Sequence, residues 1–445
     1  MKNIVFIGSH LGYPMDTTPL GGGAMVALQL TRHWVAYPGF NLCVVGSGPQ
    51  PPSAVEYVQL PKPAPNEQKR NLVGLSELGY ARFCRQFEAA ATQWVFDNQY
   101  RYGPENTCII VNDISEGPTL PVLSRAGYPI ISLWHVDVVD YFNKLYLRQM
   151  VLPETVVRVY ERSRNIIGRL YPDVLRLIFE KQRQTILYSH RLILPSRAMA
   201  ETIFRCYGDI VPHGEMARRT VVLPWGIWQD GVDDNQAEAE AARLREYYQI
   251  KPETKVLMTL SRIAPEKGLH LLLDALRRLE RSGRVHETCL FICGESAFMQ
   301  GVCYLRRVQA KAAKLKKTRI FFPGYLAALE KKAYFKLAQL FISPSIHESY
   351  GLTMVEAMQA GLPILAGDHY GARDGLKPGF GRKVSYSPLR QAPTRLAQAL
   401  EELLANRQIL AGMGCQARRE AHAMPFEKAA QRVLDEALEL AGSAR

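Results

Sequence analysis

The fold is decided by the stretch LFISPSIHESYGLTMVEAMQAGLPILAGD, residues 340–368. Two short apolar runs, LFISPS and PILAGD, stand at its ends, and a helical segment preceded by a turn at Gly351 separates them. Two buried strands joined by a helix are typical of a parallel pair, because an antiparallel pair needs only a short hairpin. The stretch therefore predicts one strand–helix–strand unit of a parallel sheet.

The same alternation continues through most of the chain. The predicted strands are 3–9, 40–46, 107–113, 129–135 and 191–196 in the first half, and 219–225, 255–262, 288–294, 319–324, 340–345 and 363–368 in the second half. The Pro-rich stretch 49–70 is predicted to be an exposed loop. The pattern favours an α/β protein with two doubly wound, Rossmann-like domains that face a central cleft, where ligands bind at the carboxyl ends of the strands. We expect one domain over 1–215, a second over 216–425, and a last helix, 426–445, that has no following strand and packs on one of them.

Composition excludes several classes of protein. The 445 residues are 47% hydrophobic and 22% charged, which is unlike a disordered or collagen-like chain. The 8 cysteines are scattered, and Cys289 and Cys293 in TCLFIC are better read as part of a buried strand than as half a metal site. We expect a cytoplasmic protein with neither a signal peptide nor a spanning helix. The net charge of +13 calls for an anionic partner.

The densest group of candidate site residues lies in SIHESYGLTMVEAMQAGLP, residues 345–363. Glu348 and Glu356 are eight positions apart, on the loop before a helix and about one turn into it, so both carboxylates can face one ligand. The amides of 351–353 open that helix and form a candidate anion site. The plain alternative is that Glu348 caps the helix and Glu356 is a surface residue.

A second motif, LSRIAPEKG, places Arg262 at the end of a strand and Lys267 five residues later, where a helix begins. Two cations at the carboxyl edge of a sheet can clamp a diphosphate. The alternative is a solvated pair that flanks a helix started by proline.

A third motif, TTPLGGGAMVALQL, puts three glycines between the first strand and a helix. Glycine lets the backbone approach a phosphate or a sugar closely. The stretch lacks the G-x-G-x-x-G spacing and the later acidic residue of a dinucleotide site, so a nicotinamide or flavin cofactor is not expected.

These motifs together resemble glycosyltransferase family 4, whose members are retaining enzymes of the GT-B fold. The likeness rests on the R-x4-K pair, the E-x7-E in HESYGLTMVE and the Gly-rich turn, and on MPFEKAA (424–430), which resembles the point where that family's chain crosses back to its first domain. The resemblance implies a hexosyltransferase that moves a hexose from a nucleotide sugar, such as a UDP-hexose, to an acceptor hydroxyl. It also implies that the N-terminal domain, 1–215, binds the acceptor, that the C-terminal domain, 216–425, binds the nucleotide sugar, and that the last helix, 426–445, packs back on the N-terminal domain.

The resemblance also implies roles for residues of the C-terminal half. Arg262 and Lys267 would neutralise the diphosphate, Glu356 would hold the ribose, and Glu348 would contact the donor sugar. The amides of Gly351, Leu352 and Thr353 would bind the phosphates. These cations and amides would stabilise the leaving group without a metal or other cofactor, and the acidic run 230–234 is not expected to bind one.

In the N-terminal half the resemblance places His135, in SLWHVD, near the reacting carbon. Gly22 and Gly23 would close over the phosphate and the sugar. The alternative for a lone histidine at a strand end is a hydrogen bond to a neighbouring carbonyl. Two departures from the family pattern, PWGIW (224–228) and Ser296, affect the hinge and the contacts to the base.

Two other functions remain open at this point. One is a sugar-nucleotide epimerase of the same fold, which would need no acceptor. The other is a nucleic-acid binder, suggested by charge and by the basic run 305–319. That run lacks aromatic residues for base stacking and is better explained as a solvated helix face, so no nucleic-acid partner is expected.

The acceptor is predicted from residues 141–191, where ten Lys or Arg stand against four Asp or Glu. A basic, aromatic, amphipathic stretch can lie on an anionic bilayer, and the opening segment SHLGYPMDTTPLGGGAMVALQL resembles bacterial digalactosyldiacylglycerol synthases. We therefore expect a peripheral membrane enzyme with a glycolipid acceptor and Arg148, Arg158, Arg162, Arg164 and Arg169 as membrane contacts. The alternatives are a soluble sugar, sugar phosphate or natural-product acceptor, and an ordinary helical cover of the first sheet.

Overall fold

A computed structural model describes residues 1–14, 21–61, 72, 75–147, 150–167, 172–284, 287–296 and 301–442. The chain divides into two units. The first consists of Met1–Trp225 and Glu427–Arg445, and the second is Gly226–Phe426.

The first unit contains a parallel sheet of seven strands in the order β3-β2-β1-β4-β5-β6-β7. The strands are β1 (Lys2–Ile7), β2 (Phe40–Gly46), β3 (Glu56–Gln59), β4 (Thr107–Val111), β5 (Ile130–Leu133), β6 (Arg191–Leu194) and β7 (Thr220–Val222). Its helices are α1 (Gly22–Val35), α2 (Glu77–Asp97), α3 (Leu120–Arg125), α4 (Val138–Leu145), α5 (Pro153–Ile167), α6 (Asp173–Leu175), α7 (Lys181–Tyr188), α8 (Arg197–Tyr207) and α9 (His213–Arg219), with a π-helical turn at Arg176–Glu180. The strand order reverses between β1 and β4, which makes their carboxyl ends the expected place for a ligand.

The second unit contains a parallel sheet of six strands in the order β10-β9-β8-β11-β12-β13. The strands are β8 (Lys255–Leu260), β9 (Thr288–Cys293), β10 (Thr318–Gly324), β11 (Leu340–Ser343), β12 (Ile364–Gly367) and β13 (Gly381–Val384). Its helices are α10 (Asp234–Tyr247), α11 (Leu269–Arg281), α12 (Gly301–Ala312), α13 (Ala328–Leu337), α14 (Leu352–Gln359), α15 (Tyr370–Gly375), α16 (Ala392–Leu404) and α17 (Arg407–His422). Here the order reverses between β8 and β11.

The core forms where helix stripes cover the sheets. In α11, Leu269, Leu272, Leu273, Leu276 and Leu279 recur every three or four residues and are all buried, so they lie on one helix face. The central strands are buried on both faces, as in β9, where every residue from Thr288 to Cys293 is inaccessible. The prediction that Cys289 and Cys293 belong to a buried strand is confirmed.

The last helix, α18 (Phe426–Leu440), contacts elements of the first unit. Trp34 Nε1 on α1 donates a hydrogen bond to the Ala430 carbonyl at 2.9 Å. Arg191 Nε lies 2.6 Å from Glu436 Oε2. Val433 and Leu434 are buried. The last helix thus has both apolar and ionic contacts with residues distant in sequence.

No helix in the described part of the chain is both long and apolar enough to cross a bilayer.

Every predicted strand is present, but two sequence predictions are wrong. Residues 219–225 were predicted to begin the second half, whereas Thr220–Val222 pairs with β6 in the first sheet. The stretch 49–70 was predicted to be a loop, whereas Glu56–Gln59 adds to β2 as an edge strand. An edge strand has only one neighbour and a half-buried surface, so it needs no apolar run.

Candidate active site

The candidate donor-site residues of the second unit gather at the switch point of its sheet. Arg262 and Lys267 follow β8, which ends at Leu260, and Glu348 follows β11, which ends at Ser343. Residues about 80 positions apart thus meet because β8 and β11 are neighbours.

Gly268 allows the loop after β8 to approach the loop after β11. Its φ is +63°, and a Cβ there would lie 2.0 Å from the Pro344 carbonyl oxygen. The Ile346 amide also donates to the Glu266 carbonyl at 2.8 Å. This close approach brings Lys267 Nζ to 2.5 Å from Glu348 Oε2.

Glu348 is ionised in this arrangement. Burial raises the pKa of the Glu348 carboxyl, but Lys267 and the neighbouring His369 and His347 together hold that pKa below its usual range. Arg262 is anchored on the same loop, with Nη2 3.6 Å from Oε1 of the buried Glu266. About a third of the Arg262 side chain is exposed, so its guanidinium can still meet a ligand.

Glu356 forms an ion pair with a different lysine, Lys331. Glu356 lies on α14, whose N-cap is Gly351 with φ +87°, and whose first turn includes Leu352 and Thr353. The first amides of a helix have no acceptor within the helix, which favours an anion there. Glu356 Oε1 lies 2.6 Å from Lys331 Nζ on α13. Burial lowers the pKa of Lys331, but Glu356 outweighs burial and raises it overall.

A cavity of about 240 Å³ lies beside Glu356 within the second unit. Leu352, Lys331, Trp228 and Arg418 are among the residues that line it. Sequence analysis did not single out Lys331, because it lies on a helix without a motif. The departure at PWGIW was the one signal that pointed to Trp228.

In the first unit, His135 follows β5 and contacts two other elements. Its Nε2 lies 3.1 Å from Asn112 Oδ1, and Asn112 Nδ2 donates to the Gly23 carbonyl at 3.3 Å. Because the amide nitrogen of Asn112 is the donor to Gly23, its oxygen accepts, which assigns the His135 proton to Nε2. A Cβ on Gly23 would lie 2.9 Å from His135 Cγ, so glycine lets α1 approach the imidazole. Gly22 is the first residue of α1, and residues 17–20 of the Gly-rich motif lie outside the described residues.

His135 is neutral at physiological pH. Burial lowers its pKa from 6.5 to about 4, against a smaller opposing effect of Asp113. In the unfolded chain the imidazole takes up a proton near pH 6.5, whereas in the folded protein it does so only near pH 4. The unfolded state therefore binds more protons between these values, and folding stability falls as the pH is lowered through this window.

We expect the His135→Gln variant to lose less stability than the unchanged protein when the pH is lowered from 7 to 5. Urea unfolding at both pH values measures this difference. The matched control is His422→Gln, which changes an exposed histidine of the second unit. A drop in stability equal in the His135→Gln variant and in the unchanged protein would contradict the assignment of the titration to His135.

The acidic run 230–234 has partners within the protein. Asp233 caps α10 by accepting from the Asn235 and Gln236 amides, both at 2.9 Å. Asp230 lies 3.6 Å from Lys332, and Asp234 lies 3.1 Å from Lys336. In the described part of the chain, no group of three or more His, Cys, Asp or Glu side chains is arranged to hold a metal ion. Metal independence of the reaction stays a prediction.

Residues 241–420 match the protein family described as "Glycosyl transferases group 1". The chain is 30% identical over 258 residues to lipopolysaccharide glucosyltransferase WaaG of Escherichia coli K12, covering 58% of this chain and 61% of that protein. It is 29% identical over 147 residues to alpha-monoglucosyldiacylglycerol synthase of Streptococcus pneumoniae, covering 33% of this chain and 32% of that protein. Across these and further curated relatives, the chain spans between 29% and 61% of the relative's length.

The likeness in fold extends over nearly the whole chain. The crystal structure of Anabaena HepE in complex with UDP and glucose superposes with a TM-score of 0.64 at 16% identity, covering 98% of this chain and 99% of that one. The prediction of a GT-B fold with two parallel-sheet α/β domains is confirmed. Residues 241–420, which match the glycosyl transferases group 1 family, include Arg262, Lys267, Glu348 and Glu356.

Proposed function

We propose that this protein is a retaining glycosyltransferase that moves a hexose from a UDP-sugar to the hydroxyl of an acceptor, in the manner of glycosyltransferase family 4. The observation that carries the proposal is the pair of Lys267 and Glu348, 2.5 Å apart at the switch point of the second sheet, beside Arg262. A diphosphate needs fixed cations, and a sugar needs a carboxylate that accepts from its hydroxyls. Both are present on neighbouring loops of a domain that matches a glycosyltransferase family.

In the proposed reaction, the bond between the anomeric carbon and the diphosphate oxygen breaks through an oxocarbenium-like state. Arg262, Lys267 and the first amides of α14 stabilise the negative charge that develops on the leaving diphosphate. The acceptor oxygen bonds to the same face of the anomeric carbon, and its proton passes to a donor phosphate oxygen. His135 is neutral and has its proton on Nε2, so its Nδ1 lone pair can accept a hydrogen bond from a sugar hydroxyl.

The test is a screen of UDP-, GDP- and ADP-sugars against lipid and soluble acceptors. The proposal expects nucleotide release that depends on an acceptor and is fastest with a UDP-hexose. NMR of the product reports the anomeric configuration, which should be the same as in the donor. Release that needs no acceptor and yields an isomerised sugar nucleotide would instead identify an epimerase.

We expect transfer to need no divalent metal, because two cations and the helix amides supply the positive field at the diphosphate. The rate should be unchanged after treatment with EDTA and removal of the chelator. The control is a metal-dependent glycosyltransferase treated in the same way. Activity that EDTA abolishes and Mg²⁺ or Mn²⁺ restores would contradict this prediction.

We further propose that the acceptor is a membrane glycolipid and that the protein docks on an anionic membrane surface through α5 and the residues before it. Leu152, Val159 and Ile166 are spaced by seven residues and are 62%, 61% and 83% exposed. Val159 and Ile166 lie on one face of α5, and Leu152 directly precedes the helix, so the three form an apolar stripe. The exposed Arg158 and Arg162 lie beside it. A similar protein is, by its name, a synthase of a glucosyldiacylglycerol. An apolar stripe flanked by cations suits the boundary between lipid headgroups and acyl chains.

The basic surplus of 141–191 is only partly available to a membrane. Lys144 is mostly buried and lies 2.7 Å from Asp140, while Lys181 is fully buried. Arg164 lies 3.6 Å from Glu180. Arg148 and Arg169, also predicted as contacts, lie outside the described residues. The apolar stripe therefore supports membrane docking independently of the number of basic residues.

Co-sedimentation with vesicles tests the membrane proposal. Binding should rise with the fraction of anionic lipid and fall at high salt, because each Lys or Arg near the surface contributes roughly 1 kcal/mol. It should drop in a variant with Arg158→Glu and Arg162→Glu, and in one with Val159→Asp and Ile166→Asp. The control is Val302→Asp, a change at an equally exposed valine (57%) of the second unit. Equal sedimentation of all variants would contradict the docking surface.

A further inference from the structure

A group of polar side chains lies at the switch point of the first sheet, separate from His135 and Gly23. Ser9 and His10 follow β1, Glu116 follows β4, and Tyr80 lies on α2. Ser9 Oγ donates to Glu116 Oε2 at 3.1 Å, and the Tyr80 hydroxyl donates to Glu116 Oε1. His10 Nδ1 lies 3.6 Å from Glu116 Oε2. We call these four residues the Glu116 cluster.

Glu116 is a buried carboxylate held by hydroxyl groups. Its side chain is 5% exposed, and burial of a carboxylate is costly unless several donors reach it. In the described part of the chain Glu116 contacts Ser9, His10 and Tyr80, and no Lys or Arg pairs with it. A carboxylate has about four lone-pair positions, and two hydroxyl donors leave room for more. The cluster is thus suited to receive further O–H donors.

Hydrogen bonds from Lys181 hold the loop that carries Glu116. Lys181 on α7 is 2% exposed, and its Nζ donates to the Gly117 carbonyl at 2.9 Å and the Pro118 carbonyl at 3.2 Å. The same ammonium lies 3.0 Å from Glu88, which neutralises it. The position of Glu116 is therefore set before any ligand arrives, which reduces the entropy lost on binding.

The cluster and His135 belong to the same end of the sheet. Asn112, which binds His135, lies on the loop between β4 and Glu116. Asp113, which is on the same loop, raises the pKa of His135, and His10 lowers it. A ligand that reaches one group is close to the other.

We propose that the Glu116 cluster binds the hydroxyls of a neutral polyol acceptor and disfavours phosphorylated acceptors. A sugar or polyol headgroup presents O–H donors to the carboxylate, and these are charge-assisted hydrogen bonds. A phosphate group presents acceptor oxygens and negative charge, which Glu116 repels. The inference rests on the proposed function and selects among the acceptor classes left open there: a glycolipid headgroup or neutral sugar rather than a sugar phosphate.

A binding experiment tests the cluster without relying on turnover. Saturation-transfer NMR with octyl β-D-galactoside and with D-galactose 6-phosphate measures the two classes of ligand on the full chain. We expect the neutral galactoside to bind, the phosphate to bind at least about tenfold more weakly, and Glu116→Gln to weaken the galactoside about tenfold. The matched control is Glu56→Gln, which changes a carboxylate of the same unit that pairs with Arg101 at its edge. Absence of galactoside binding, equal binding by Glu116→Gln, or equally tight binding of the phosphate would overturn the proposal.

A second variant and a folding measurement distinguish a loss of ligand binding from misfolding. Tyr80→Phe removes one donor to Glu116 and keeps the ring, and thermal melting should show that both variants remain folded. In turnover with UDP-glucose, both should raise the KM for the galactoside and leave the KM for the donor within about twofold. Binding that depends on Glu116 without any glycosyl transfer would refute the proposed function alone. Efficient transfer to the sugar phosphate would refute this inference alone.

Discussion

Replacing Lys267 by alanine is expected to weaken nucleotide-sugar binding and slow transfer by ten- to a hundredfold or more. The ammonium supplies a charge-assisted contact to the diphosphate, and such contacts are worth about 1.5 to 3 kcal/mol each. Removing it also leaves Glu348 without its partner at 2.5 Å, in a position where burial raises the carboxyl pKa. The pKa of the Glu348 carboxyl should then rise.

Arg262→Ala should show a loss of similar size in donor affinity while the pair of Lys267 and Glu348 stays in place. Calorimetry with UDP and steady-state kinetics with the UDP-hexose measure both variants. The control is Lys311→Ala, which breaks a lysine–carboxylate pair of the same length, with Asp274, elsewhere in the second unit. If both site variants keep the affinity and rate of the control, the assignment of the donor site is wrong.

The second large effect concerns the two glutamates of the E-x7-E motif. Glu356→Gln should weaken the binding of free UDP about tenfold, because a carboxylate that accepts from the ribose hydroxyls is lost. Glu348→Gln should leave UDP binding within about twofold and reduce transfer by at least about tenfold, because its proposed contact is to the sugar and strengthens in the transition state.

Their separate lysines make this division of roles testable. Glu348 pairs with Lys267 and Glu356 with Lys331, so neither substitution removes the ion pair of the other. Calorimetry with UDP alone, set beside turnover, distinguishes the two variants. Glu420→Gln, which changes a carboxylate paired with Lys377, is the control. The opposite pattern would mean that Glu348 serves the nucleotide and Glu356 the sugar.

Much of the fold was predictable because it depends on local patterns. Buried parallel strands need continuous apolar runs, and these runs placed strands such as β8, β9 and β12 to within a few residues. Helix starts were equally visible: the helix expected near Thr353 begins at Leu352, after a glycine at φ +87°. Arg262 and Lys267 also lie close together in the structure, because both are on the loop that follows β8.

The edges of the sheets were not predictable in the same way. The stretches Glu56–Gln59 and Gly381–Val384 are short, partly exposed and without a continuous apolar run. They become strands through hydrogen bonds to β2 and β12. The strand Thr220–Val222 was visible in the sequence, but only its pairing with β6 shows that it belongs to the first sheet.

The sequence alone determined the class of the fold, the strand–helix rhythm and the candidate motifs, because each depends on residues close together in the chain. Tertiary structure decided which of these residues share partners. It paired Glu348 with Lys267 and Glu356 with Lys331, and it brought Ser9, Tyr80 and Glu116 together across more than a hundred residues. No periodicity or motif encodes such contacts, because they arise where strands distant in sequence become neighbours in a sheet and their carboxyl ends meet.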